Sequence, residues 1–402
     1  MFFKRNIKLG ISFNSFHTFK EVAEVWRHIL PENHHLQCRD IEALESTMPE
    51  DIAFKYVNIY QNGELIGVMY LQCLNFNSKH YHHEVLDRPV LKHLKSYILG
   101  KSADILVCGN IFRVNFQGFY FKDKKQRELI FDCLNLYRQE MKPEKNFCGI
   151  LVKDCSRAFQ STQFTCHGFK SFSQDLSMEM TIRSNWVDFE DYLGDLSRKY
   201  KQRANKIIKS KEQIRVLDMG VEDLERENER INELYMNIVR KQTLAMGILK
   251  SDYFIQMKKG LGAGFKVFGY YKDDQLLAFS SHIYYFPKSA MEIHYIGLDY
   301  AHNATYNLYF NLLFDGIRTA IELKLKTIEM GRTAREAKAN AGAYAVENYN
   351  YVWIRGGIFR WALEGMGRWF ENGIGEDWKK RQPFRTSHEN LAKTAVEPAQ
   401  QH

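Results

Sequence analysis

The stretch from Glu329 to Ala343, EMGRTAREAKANAGA, sets Arg332, Arg335, Glu336 and Lys338 beside Gly331 and Gly342, directly after an apolar segment. Arg332 offers a planar fork that suits a carboxylate or phosphate, and Lys338 offers a point charge. Gly331 permits a tight turn or a close backbone approach. A ligand grip is one reading of this charge; an Arg332–Glu336 pair on an exposed helix face, four residues apart, is the other. Glu292 and His294 lie two apart in AMEIHYIGLDY. On a strand they share a face, which suits proton transfer to or from a reacting amine. His282, Tyr284, Tyr285 and Tyr295 occupy the neighbouring runs, where ordinary strand packing is the alternative.

The chain carries 56 Lys and Arg against 48 Asp and Glu, a formal net charge of +8. The excess concentrates in LSRKYKQRANKIIKSKEQ, with Arg198, Lys199, Lys201, Arg203, Lys206, Lys209 and Lys211 close together. Such a segment attracts donor phosphates, an anionic membrane surface or tRNA, or is simply a solvated face. Lys199 and Arg203 are its binding candidates, and Ser281 and Tyr306 complete the set.

Other features point away from chemistry. Lys79-His80-Tyr81-His82-His83-Glu84 has metal-ligand residue types without regular spacing and reads as a polar loop, so no metal is expected. The seven cysteines are odd in number, with no C-x-x-C pair, so neither a zinc site nor a disulfide framework is indicated and a reducing cytoplasm fits. Cys108 and Cys166 have no assignable partners as nucleophiles. The opening MFFKRNIKLG reads as neither signal peptide nor membrane span, and no apolar run is long enough to cross a bilayer.

The elements that position these residues follow from periodicity. FKEVAEVWRHIL places Phe19, Val22, Val25, Trp26 and Ile29 on one helix face. Two β-rich runs flank Gln61-Asn62-Gly63-Glu64, a hairpin signal. An apolar run at ADILVCGNIF, a helix through KDKKQRELIFDCLNLYRQEM and a strand at CGILVKD come next. The second half repeats the order: a strand pair around Lys272-Asp273-Asp274-Gln275, a strand at AMEIHYIGLDY, an amphipathic helix in NATYNLYFNLLFDGIRTAIELK capped by Asn303, and a short strand at TIEM. A charged helix spans Leu224 to Lys241 before it. Hairpin, strand, helix, strand occurring twice predicts a duplicated αβ module.

With SRKYKQRANK, QLLAFSSHIYYF and GRTAREAKANAGA as they stand, residues from about Trp186 to Arg385 resemble the FemAB-like branch of the GNAT superfamily, and the first half resembles a degenerate copy. The resemblance implies an α+β fold of two tandem GNAT-like modules, each a mixed twisted sheet flanked by helices. Residues 1–175 would form the degenerate module and 176–385 the better-preserved one, including the basic helix 197–211. Residues 386–402, polar and poor in large apolar side chains, would be a disordered tail.

It further implies a transferase moving an acyl group from acyl-CoA or acyl carrier protein to an amine of a lipid or cell-envelope precursor. Gly331, Arg332, Glu336 and Lys338 would face a ligand. The family is thought to need no dedicated base, against a catalytic role for Glu292 and His294. The chain would be cytoplasmic, touching at most the surface of an anionic inner membrane, with no DNA partner. The alternatives are a peptidoglycan aminoacyltransferase using aminoacyl-tRNA, and a non-catalytic protein binding membrane or nucleic acid through its basic helix. Against the family pattern, the loop Asp299–Thr305 lacks a Gly-rich turn for a pyrophosphate, and Asn115–Lys122 keeps only Gly118.

Overall fold

The computed structural model describes residues 10–37, 40–76, 103–156, 159, 164–241, 247–285, 288–356 and 379–385. The start of the chain, the Lys79–Glu84 loop and the tail 386–402 lie outside the described residues.

In the first half, β1 (Ile11–Phe16) leads through α1 (Phe19–Ile29) and α2 (Asp40–Thr47) to the hairpin of β2 (Ile52–Gln61) and β3 (Glu64–Phe76). Then come β4 (Ala103–Cys108), β5 (Phe119–Phe121), α3 (Ile130–Glu140) and β6 (Gly149–Cys155). The expected turn is in place: Asn62 and Gly63 both take positive φ, 52° and 85°, as a two-residue hairpin loop requires. Of the predicted apolar face of α1, Phe19, Val22, Trp26 and Ile29 are buried, whereas Val25 points to solvent.

The second half opens on β7 (Lys170–Thr181), α4 (Phe189–Asp195), α5 (Arg198–Ser210) and β8 (Arg215–Asp218). The expected single helix at Leu224–Lys241 is two, α6 (Val221–Arg226) and α7 (Asn228–Val239), followed by α8 (Tyr253–Leu261). The hairpin of β9 (Phe265–Lys272) and β10 (Gln275–Tyr285), then β11 (Ala290–Leu298), fall where periodicity put them. The long amphipathic helix is also two, α9 (Tyr300–Tyr306) and α10 (Leu308–Glu322), because Asn307 between them is left-handed. Asn303 sits inside α9, yet its side chain still caps α10 by accepting from the Tyr309 N–H at 3.0 Å. The chain ends its described core with β12 (Thr327–Glu329), α11 (Arg335–Ala341) and β13 (Tyr344–Ile354).

Among the described residues all strands join one sheet in the order β1-β2-β3-β4-β6-β13-β7-β12-β11-β10-β9-β8, with β5 paired to β3. The duplication is explicit in this order. Each half has a hairpin, a third antiparallel strand and a fourth strand parallel to the third, β4 with β6 and β11 with β12. Two features escaped the sequence reading. The boundary placed at 175/176 falls inside the continuous strand β7, and β13, from the second half, inserts between β6 and β7 and so joins the strands of the two halves into one sheet. The halves also share one apolar core, in which Phe19, Trp26, Leu44 and Tyr70 pack with Leu224, Leu234, Phe254 and Phe279. Among the described residues no helix is long and apolar enough to cross a membrane.

Candidate active site

Strand alternation builds the site. Met291 of β11, Ile328 of β12 and Met180 of β7 are in lateral register and pack under Leu313 and Ile317 of α10. One residue further along, Glu292, Glu329 and Glu179 are in register across the same three strands, so all three carboxyls stand on the opposite face. In-register neighbours lie about 5 Å apart, which sets acid beside acid. Burial, then the neighbouring Glu179 and Glu292, push the Glu329 carboxyl up to about 8, against the Gly331 N–H (2.8 Å to Oε1) and the charge of Lys338. Burial also raises Glu179, offset by its hydrogen bonds from Glu329 and Asn115. Glu329, the middle carboxyl of the row, therefore keeps its proton at neutral pH beside Glu179.

Glu292 behaves oppositely. Burial would raise it, but the Arg113 guanidinium, 2.8 Å away, and His294 outweigh that and hold it down at about 2. With Glu292 ionised, His294 Nδ1 donates to it at 2.7 Å. Burial keeps His294 neutral, opposed by Glu292, so its Nε2 accepts from the Tyr253 hydroxyl at 2.5 Å. The guanidinium lies over the Tyr285 ring at 5.1 Å. The expected Glu292–His294 pair thus exists, but the His294 side chain has no exposed surface and Glu292 only 5%; the pair anchors Arg113 instead of facing a cleft.

Arg113 belongs to the first half. Its loop, Gly109–Gly118, crosses to the second half and delivers Asn115, whose Nδ2 donates to Glu179 Oε1 at 2.9 Å and to Glu329 Oε2. The loop is pinned at its base, where the Tyr70 N–H donates to the Gly118 carbonyl at 2.7 Å. A Cβ on Gly118 would stand 2.2 Å from the Gly109 nitrogen. Gly118→Ala is expected to cost about 1–3 kcal/mol of stability through this overpacking, read as a lower denaturant midpoint.

The second half reciprocates. Asp154, at the end of β6 and fully buried, pairs with Lys153 and with Arg332, and accepts from the Phe116 N–H at 3.2 Å. Arg332 is therefore committed to a first-half carboxylate. Gly331 turns with φ 80°. Lys338 is 4% exposed, and its Nζ lies 3.7 Å from where a Gly331 Cβ would be. Glu336 pairs with Arg381, not with Arg332, because α11 begins only at Arg335. Arg332 thus braces the interface, and Lys338 lies at the Gly331 turn near Glu329.

The remaining candidates lie elsewhere. Ser281 is fully buried and fills the bulge between β10 and β11, its hydroxyl accepting from the Tyr295 N–H and donating to the Tyr295 carbonyl, both at 3.0 Å. Tyr306 closes α9, and its carbonyl accepts from Ser210 and Asn311. Lys199 is exposed on α5, and Arg203 stacks on Phe310 at 5.0 Å. None of these four touches the glutamate row in a hydrogen bond or ion pair described here. Among the described residues no group of His, Cys, Asp and Glu is set to hold a metal ion, and burial raises the thiol of Cys108 well above its ordinary range.

Beside the row the sheet opens. β11 and β12 pair only from Ala290 to Glu292 against Thr327 to Glu329, while β11 continues to Leu298. Beyond Glu292, β11 therefore runs on without a β12 partner. The helix starts beyond it are already filled: Asp299 accepts from the Ala301 N–H at 3.0 Å in the second half, and Asp123 from the Lys125 N–H at 2.8 Å in the first. Neither offers the bare amides that a pyrophosphate takes, so the diphosphate of coenzyme A does not fit these positions.

Sequence reasoning missed Glu329, Glu179, Arg113, Asn115, Asp154 and Tyr253. A signal for the first two was present: Met178-Glu179-Met180, Met291-Glu292-Ile293 and Ile328-Glu329-Met330 are three apolar–Glu–apolar triplets on strands.

No protein-family model matches the sequence, and no curated protein sequence does. Among solved structures, FemX is 11% identical with a TM-score of 0.52, covering 85% of this chain and 97% of its own. A tandem GNAT protein from the clavulanic acid biosynthesis pathway is 12% identical with a TM-score of 0.49, covering 86% and 99%. L-PGS from Bacillus licheniformis is 10% identical with a TM-score of 0.45, covering 78% and 87%. The likeness to FemX concerns architecture, and with the strand order above it establishes that this chain has the α+β, tandem GNAT-like fold of the FemAB type.

Proposed function

We propose that the chain is an N-acyltransferase whose working site is the glutamate row of the second half. One observation carries the reading: half-buried Glu329 stands at the end of the β11–β12 pairing between two in-register carboxyls, where burial and those neighbours raise its proton affinity to about 8. A base matched to working pH is what an amine acceptor needs, because it must lose a proton to attack. The acceptor nitrogen bonds to the acyl carbon as the bond to the leaving group breaks, and the nitrogen's proton passes to Glu329. Glu179, in register with Glu329, lies beside that proton. The equivalent end of β6 in the first half is closed, since Asp154 is buried and charge-paired, which favours a single working site.

The donor fits best as an acyl thioester with its phosphates held away from the helix starts, coenzyme A and acyl carrier protein being the two carriers to compare; the acceptor is an amine of a lipid or envelope precursor. A second reading, transfer of an aminoacyl group from tRNA, is favoured by the same filled helix starts and by the exposed cations of α5. A non-catalytic role in binding membrane or nucleic acid would leave the row idle.

The test is turnover. Purified chain incubated with acyl thioesters or aminoacyl-tRNA and a panel of amines is expected to give an N-acylated product by mass spectrometry. The rate should climb with pH through about 8, because the deprotonated form of Glu329 is the active one. No product from any of these donors, or a rate flat from pH 6 to 9, overturns the reading.

A further inference from the structure

We propose that Asn115 is a positioning residue for this proton acceptor: a first-half side chain that aims the Glu329 and Glu179 carboxyls and decides where their shared proton resides. The inference rests on the glutamate row being the working site. The orientation of the amide is fixed by its surroundings. Oδ1 accepts from Asn348 Nδ2 at 2.7 Å and from Ser177 Oγ at 3.3 Å, leaving Nδ2 to donate to both carboxyls. Asn348 Nδ2 also donates to Ser177 Oγ at 3.3 Å, so two linked polar side chains, from β7 and β13, hold the Asn115 amide in place. Asn115 itself has φ 55°, a conformation that asparagine, aspartate and glycine accept and most residues resist.

The charged and titratable groups around Glu329 are Glu179 on β7, Glu292 on β11 with its Arg113 partner, Lys338 on α11 and Tyr344 on β13. Against two acidic neighbours, Asn115 is the neutral donor shared by Glu329 and Glu179. An N–H that bonds the ionised form favours ionisation, so its removal must make Glu329 hold its proton to higher pH. Because the amide comes from the other half, the acceptor is complete only when the Gly109–Gly118 loop is docked.

The experiment is a pH titration of the intact chain carrying carboxyl-labelled glutamate, followed by NMR, with the Glu329 signal assigned by its loss in Glu329→Gln. Asn115→Gly keeps the left-handed backbone and deletes the amide; Asn115→Asp keeps the shape and adds a charge. Asn115→Gly is expected to move the Glu329 midpoint upward by about one pH unit, and Asn115→Asp further. At pH 7.5 the first shift lowers the ionised fraction about eight-fold, and turnover should fall in proportion and recover in more alkaline buffer. A Glu329 midpoint that stays put or falls in Asn115→Gly overturns the proposal, even if the variant loses thermal stability. The titration uses no substrate. A chain that transfers nothing overturns the functional reading without touching this measurement, and an inactive Glu329→Gln with an unmoved midpoint in Asn115→Gly overturns the inference alone.

Discussion

Replacing Glu329 with glutamine is expected to slow acyl transfer by about 100- to 10,000-fold, the range that a positioned proton acceptor contributes, with little change in KM for the donor. The neutral amide keeps the size of the side chain and can still meet Asn115 and Glu179, so the fold survives and the loss reports chemistry. Stability gives an independent check with a fixed sign. The native carboxyl keeps its proton up to about 8, whereas the unfolded one releases it near its ordinary value of 4.5. Between those values the native state binds more protons, so this group's contribution is full at low pH and fades as pH rises through about 8. Glu329→Gln removes that dependence. Its melting temperature, relative to the parent, should be higher at pH 9 than at pH 5. Wild-type turnover in the variant would end the case for Glu329.

Arg113→Ala is expected to destabilise the chain by about 3–5 kcal/mol, the cost of leaving a buried partner charge uncompensated. The orphaned group is Glu292, enclosed between β11 and the crossing loop and already bonded to His294. The sign with pH is again determined. Glu292 is held at about 2, so its pairing with Arg113 stabilises the native state above the ordinary carboxylate range and is lost as pH falls through about 2. The parent's advantage over Arg113→Ala should therefore be full at pH 7 and shrink on acidification, as measured by denaturant unfolding at each pH. Equal stabilities at pH 7 would mean that the ion pair contributes nothing to docking the halves. Arg113→Lys separates charge from shape: it keeps the charge but loses the fork and the stacking on Tyr285.

The duplicated strand order was readable because each half carries its own periodicity and turn chemistry, down to Asn62-Gly63 and Asp273-Asp274. The weld between halves was not. β13 follows a helix at the far end of the chain, and nothing local in YAVENYNYVWI names β6 and β7 as its neighbours. The helix split at Asn307 and the break before Asn228 are likewise decided by packing rather than pattern. At the site, Glu292 and His294 were legible because they are two apart on one strand. The row was not, since Glu179, Glu292 and Glu329 are separated by more than a hundred residues at one gap and meet only through register. Arg332 and Lys338 drew attention as charges beside a strand end, and charge alone does not tell a ligand grip from an internal brace. Their partners, Asp154 and the ground beneath Gly331, lie across the interface or under the turn.

The placement of β13 also governs how the molecule comes into being. During synthesis β6 and β7 are made long before the strand that joins them, so each presents an unpaired edge until residues 344–354 arrive. Closure of the sheet is thus among the last events of folding, and it depends on contacts spanning about half the chain, the kind that form slowly. Shortened chains ending before Tyr344 would keep both edges open and self-associate, which makes β13 a natural checkpoint on synthesis through residue 354.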